Sequence, residues 1–272
     1  MIPKKSYEPV YRQLVDDILE TCQAWMPELQ SAHLKQQYMD DAKVSCEAWV
    51  EPDRDAAAGD SKMVVNIARA ISYDKAQQLA VHELTHHIQV VLMEHHLYDK
   101  CPEMRVSPEM GPMGVVLEGG AEAMVELYFN LDAGGVVSRA QDLEKRLPRH
   151  GLRRLNLTPA IILEIERLTW FGLWPTIIRI ARDYQNRSII HNKDECERLM
   201  LEQALKRHDS WPNADFFDEV GAYTLGYGYC KELILEYCKK EAMRNDRSVL
   251  EEFIRFMKQP QLPSRMQKTI AG

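Results

Sequence analysis

Residues 74–98, DKAQQLAVHELTHHIQVVLMEHHLY, run without a glycine or a proline. The spacing predicts one long helix, with Ser72 or Asp74 as its N-cap. Ala76, Ala80, Leu84, Ile88 and Val91 form an apolar face, so the helix should pack firmly. Inside it stands His82-Glu83-Leu84-Thr85-His86. Two histidines four apart lie one turn apart on the same face, so both imidazoles can reach one metal ion. Glu83 points about 100° away around the helix, beside the open coordination position. A carboxylate there can take a proton from zinc-bound water, whose pKa the metal lowers towards ~7. The alternative is a chance match on a histidine-rich helix. His87, His95 and His96 are expected at the core edge or in solvent, not as ligands.

Catalytic zinc takes three protein ligands and keeps a fourth position open. Downstream lies Leu117-Glu118-Gly119-Gly120-Ala121-Glu122-Ala123-Met124-Val125-Glu126. Glu118 and Glu122 are four apart on one face of a second helix, expected over about 117–130. Glu118 is the candidate third ligand. Glu122, one turn on, can orient a ligand histidine through its free ring nitrogen. The small residues at 119–121 allow the two helices to approach closely. Glu126 is expected on a solvated acidic stripe.

Away from these helices, residues 8–26 carry apolar positions at helical spacing and stop near Pro27. Segments 43–50 and 62–68 are rich in Val, Ile and Trp, with a turn-rich stretch between them, which predicts a pair of strands. Residues 101–114, with several prolines and glycines, predict a loop. Beyond 135 the pattern is helical, over roughly 138–147, 158–185, 192–208, 214–242 and 247–257. A boundary near 134–150 divides a zinc-binding catalytic part with a small sheet (1–135) from a helical part completing the cleft (136–272). The expected fold is α+β and mainly helical, with two zinc-bearing helices closed by the helical C-terminal half.

With 272 residues, 45% hydrophobic and 28% charged, the chain is long enough for a substantial core. A net charge of -7 offers no basic face to nucleic acid or to an anionic membrane. No stretch approaches the roughly 20 apolar residues that span a bilayer. The N-terminal MIPKKSYEPV leads into no apolar run, so no signal peptide is expected. The six cysteines form no CxxC pair and are expected as free or buried thiols of a reducing compartment. A cytoplasmic protein is the expectation, with export by a route lacking a cleaved signal as the alternative.

HELTH followed by a helix of the form E-G-x-A-E resembles the gluzincin metallopeptidases, the group of thermolysin, the aminopeptidases and the oligopeptidase and carboxypeptidase relatives. HELTH is identical to the thermolysin motif, and Glu118-Gly119 with Ala121 is similar to the N-E-G-F-A segment of the aminopeptidases. The likeness covers about residues 62–130. The gap from His86 to Glu118 is longer than in those families, and no G-x-M-E-N segment precedes the motif. The resemblance implies a single zinc ion held by His82, His86 and Glu118, Glu83 as general base, and a peptide or protein substrate. It also implies that segment 63–68 offers a sheet edge to an extended peptide, with Asn66 near the cleft. Gly221-Ala222-Tyr223-Thr224-Leu225-Gly226-Tyr227-Gly228-Tyr229 is similar to the tyrosine-rich helix of the oligopeptidase branch, which implies Tyr223 or Tyr227 as donor to the oxyanion. The other reading of those tyrosines is a core stripe running on through Cys230, Leu233, Ile234 and Tyr237. His191 and His208 are the alternative donors. Two rival functions stand beside the peptidase: a catalytically silent helical binding protein on a peptidase fold, and a metal-dependent hydrolase or toxin-like protease acting on one partner. Cobalt or manganese would also suit the ligand set.

Overall fold

The computed structural model describes residues 2–44, 47–53, 59–68, 71–97, 99–100, 111–129, 173, 175–187, 189–204 and 214–271. It is mainly helical with a small three-stranded sheet, the α+β class expected. In chain order the elements are α1 (Lys4–Trp25), a 3-10 turn (Pro27–Gln30), β1 (Leu34–Met39), β2 (Ala48–Pro52), β3 (Ser61–Asn66), α2 (Tyr73–His96) and α3 (Pro112–Phe129). Then come α4 (175–185), α5 (Lys193–Ala204), α6 (Ala214–Val220), a 3-10 turn (Gly221–Leu225), a π-helical turn (Gly226–Cys230), α7 (Lys231–Asn245), α8 (Val249–Lys258) and α9 (Pro263–Ala271). The expected helix 138–147, the boundary at 134–150 and most of 158–172 lie outside the described residues.

Helix α2 is the hub, packed on α1, α3, α8, β2 and β3. Ser72 caps it, its hydroxyl accepting from Lys75 N–H at 3.1 Å. Nearly all of its circumference is buried; the strip His82, His86 and Val90, at four-residue spacing, is only partly so. A helix enclosed on this scale presents His82 and His86 from a rigid rod. In α1 the buried residues Tyr7, Val10, Tyr11, Leu14, Val15, Ile18 and Cys22 keep helical spacing. The helix starts four residues before the expected position and carries Pro9 within it on its exposed side, where the Lys5 carbonyl that loses its intrahelical N–H can face solvent. Likewise α3 begins at Pro112, inside the expected loop: proline suits a first helical turn.

The sheet corrects two expectations. Strand β1, LKQQYM, was not foreseen, and the strand expected at 43–50 is displaced to Ala48–Pro52. The order is β1-β3-β2, with β1 parallel and β2 antiparallel to β3. Segment 63–68 therefore supplies the central strand, whose two edges are already occupied, and not an edge for a peptide. Its Met63, Val64, Val65 and Asn66 are all buried, as befits a strand covered on both sides. Asn66 is a bracket, not a cleft residue: its amide donates to the carbonyls of Asp41 and Val44, at 2.8 and 3.3 Å, and its Oδ1 accepts from Ala68 N–H at 3.1 Å.

The helix expected over 214–242 is a rod of four pieces, α6, a 3-10 turn, a π turn and α7. Gly221 takes φ +55°, which glycine permits. Single π turns widen a helix by one residue and commonly mark functional sites. Here the π turn is pressed against α3. A Cβ on Gly226 would meet Glu118 Cβ at 2.7 Å, and one on Gly119 would meet Cys230 Cβ at 2.8 Å. Glycine on both sides is what allows the approach. Below this contact Cys230, Leu233 and Ile234 enter the core, so the stripe reading holds for the lower half of the rod. No described helix is long and apolar enough to cross a membrane. Cys22, Cys196, Cys230 and Cys238 are buried free thiols, each pushed up to about 12 by burial and so chemically quiet; Cys46 and Cys101 lie outside the described residues.

Candidate metal centre

Helices α2 and α3 bring His82, His86 and Glu118 together, with one ligand atom of each lying within 4.8 Å of the others. His82 Nε2 is 3.1 Å from Glu118 Oε1, and His86 Nε2 is 3.5 Å from Glu118 Oε2. The two Nε2 atoms are 3.3 Å apart. In a tetrahedral zinc site with bonds near 2.0–2.1 Å, neighbouring ligand atoms stand roughly 3.3–3.4 Å apart. The spacing fits such an ion.

The hydrogen bonds behind the rings fit it as well. His82 Nδ1 bonds to Glu122 Oε1 at 3.1 Å, the orienting contact expected of Glu122. His86 Nδ1 meets Gln89 Oε1 at 3.0 Å. Each ring can thus donate backwards from Nδ1, an arrangement that in a neutral ring leaves the lone pair at Nε2, facing Glu118. Glu118 Oε1 is buried, with His82 Nε2 beside it at 3.1 Å. Three electron-pair donors converging on one point repel one another unless a positive charge sits between them.

Without an ion, the same groups hold one another by charge. Burial disfavours a charged His82, yet Glu118 and Glu122 outweigh it and hold its pKa well above the ordinary value. Burial would raise Glu118, yet His82 and His86 hold it well below the usual carboxylate range. Glu83 is buried, and burial raises its pKa; His82 and His86 oppose part of that shift.

Both tyrosines reach the site. Tyr223 Oη donates to Glu118 Oε2. The Tyr227 ring lies parallel to His82 within 2°, centroids 6.3 Å apart, and its hydroxyl also bonds to Glu118. Burial, with Glu118 second, raises the Tyr227 pKa and keeps it a phenol that can donate. The remaining candidates fall elsewhere. His191 is exposed and bonds to the Arg187 carbonyl, and His208 lies outside the described residues. His87 is wholly buried, with Nδ1 2.6 Å from Ser61 Oγ, and burial lowers its pKa to about 4. His95 is exposed, as expected, whereas His96 bonds to Glu28 Oε1 at 2.9 Å. Glu126 is not simply solvated: it lies 3.1 Å from the buried Lys231 ammonium.

Gln89 is the residue that sequence reasoning missed. Its amide Nε2 donates to the Leu117 carbonyl of α3 at 2.7 Å while its oxygen faces His86. The available signal was position: Gln89 lies three residues beyond His86, on the same side of the helix. No protein-family model matches the chain, and neither curated proteins nor solved structures give a match.

Proposed function

We propose that the protein is a zinc-dependent metallopeptidase in which His82, His86 and Glu118 hold the ion and Glu83 is the general base. The observation that carries this is the convergence of both Nε2 atoms and the Glu118 carboxylate on one point, with each Nδ1 bonded away from it. The likeness of HELTH and Glu118-Gly119 to the gluzincin helices favours peptide bonds over other amides. Zinc held there would polarise a carbonyl oxygen and lower the pKa of a bound water. Glu83 accepts the proton of the attacking water and returns it to the leaving amine; its raised pKa brings it nearer the range where both transfers are easy. Tyr223, whose hydroxyl already lies at the ligand carboxylate, donates to the oxyanion of the tetrahedral adduct, and Tyr227 stacks on His82 to hold its plane. Intact Glu83 argues against a silent binding protein, because a structural zinc has no use for that carboxylate.

The test is metal analysis of the purified protein together with a peptide-library cleavage assay, with and without chelator. About one zinc per chain and chelator-sensitive cleavage are expected. Stoichiometric metal surviving in the His82→Ala/His86→Ala double variant removes the site assignment. Zinc without cleavage of any library peptide moves the protein to the silent or single-partner class.

A further inference from the structure

Gln89 makes two hydrogen bonds, and the second decides the first. Its side-chain nitrogen donates to the Leu117 carbonyl at 2.7 Å. Turning the amide over would set two oxygens face to face at that distance, so the orientation is chemically fixed. The amide oxygen is therefore the atom at His86, 3.0 Å from Nδ1. An amide oxygen only accepts, so Nδ1 must carry a proton, and in the neutral ring the lone pair is then at Nε2.

We infer that Gln89 is a positioning residue that sets the His86 tautomer through the backbone of α3, so that docking of α3 on α2 prepares the histidine for its ion. Glu122 does for His82 what Gln89 does for His86, but Glu122 reaches across from α3, whereas Gln89 stands on the same helix as its ring and is itself held by α3. Gln89 ties a ring on α2 to a main-chain carbonyl on α3. Space for it is built in: a Cβ on Gly120 would lie 2.7 Å from Gln89 Nε2, so a side chain there would displace the amide. Gln89 is also almost fully buried, so water does not compete for either bond. The inference rests on the metal reading for its purpose, but the tautomer is a property of the metal-free protein.

The experiment uses the full chain and reads both. Two-bond 15N–1H correlations of the histidine rings in metal-free protein report the tautomer of His86, and a competitive chelator titration reports the zinc affinity. Wild type is expected to show the Nδ1–H form at His86. Gln89→Met removes both bonds at similar volume: the ring should relax to mixed tautomers and zinc affinity should fall ~10–100-fold, the usual effect of removing such a partner. Gln89→Glu keeps an acceptor at Nδ1 while losing the donor to Leu117. It should retain the tautomer and hold zinc affinity within a few-fold of wild type, while the metal-free protein melts lower. A merely structural Gln89 would lose affinity and stability together in both variants, which overturns the inference. So does an Nε2–H tautomer in wild type, whatever the folding of the variants. If wild type takes up no zinc, the peptidase reading falls, while the tautomer measurement still decides the role of Gln89.

Discussion

A methyl group at Gly226 probes how the fold builds the site. Its Cβ would lie 2.7 Å from Glu118 Cβ, 2.8 Å from Glu118 Cγ and 3.1 Å from the Val115 carbonyl oxygen. The carbon pairs fall about 1 Å inside the 3.5–4.0 Å of an ordinary contact. Two of these atoms are held by the α3 backbone, so the neighbour cannot swing aside. Either the π turn lifts off α3 or Glu118 changes rotamer. Overpacking of this kind costs about 1–3 kcal/mol. At roughly 2–4 °C per kcal/mol for a chain of this size, Tm should drop by about 2–12 °C. Both escapes also move the ligand carboxylate or its tyrosine donors, so zinc affinity should fall more than ~10-fold, by analogy with the loss of an orienting partner. Gly221→Asn is the control: nothing lies within 4 Å of its Cβ, φ is +55°, and asparagine tolerates that conformation. It should leave zinc affinity unchanged. Thermal unfolding of the metal-free protein and chelator competition measure the two effects. A Gly226→Ala protein with wild-type Tm and affinity would refute the idea that close packing of the π turn sets Glu118.

Glu83→Gln should keep zinc and fold but lower kcat by ~100-fold or more, because an amide cannot accept the proton of water; undiminished turnover would place the base elsewhere. Tyr223→Phe, assayed at saturating zinc, should lower kcat by ~100-fold with little change in KM. Normal kcat with weakened zinc affinity would make its contact with Glu118 purely orienting. Burial raises Glu28, but bonds from Lys258 and His96 outweigh it and hold its pKa at about 2, below the ordinary 4.5. A depressed carboxylate stabilises the fold above about pH 4.5 and loses that contribution as the pH falls towards 2. Glu28→Gln should therefore cost about 1 kcal/mol near pH 6, a figure kept small for a partly exposed cluster, and the gap to wild type should narrow below pH 4.5. Urea titrations across that range check it; a constant gap would sink the assignment.

What could be read in the sequence was local. The length of α2, its Ser72 cap, the shared face of His82 and His86, and the pairing of Glu118 with Glu122 all follow from helical spacing within one segment. What escaped depends on neighbours. β1 has no fully buried residue and is built of Lys and Gln as much as Leu and Tyr; only its ladder to β3 makes it a strand. The pattern over 214–242 reads as unbroken helix, because the π turn arises from the contact of Gly226 with Glu118, more than a hundred positions earlier. Gln89 reads as an ordinary polar residue of α2, because its partner, the Leu117 carbonyl, belongs to another helix. The last helix, Pro263–Ala271, went unforeseen because it buries only Met266 among its residues.

During synthesis, β1 and β2 leave the ribosome before anything can pair with them. They are not neighbours in the sheet; each bonds only to β3, which is made last and slots between them. Until Asn66 has emerged, two short strands present open backbone edges, a state that invites pairing with other chains. Arrival of β3 gives both strands their partner, and the next helix in the chain is α2, carrying His82 and His86. The sheet thus cannot be completed before β3 is made, directly ahead of the histidine helix. Glu118 follows later, and Tyr223, 105 residues further on, later still, so the centre is completed in the order of the chain.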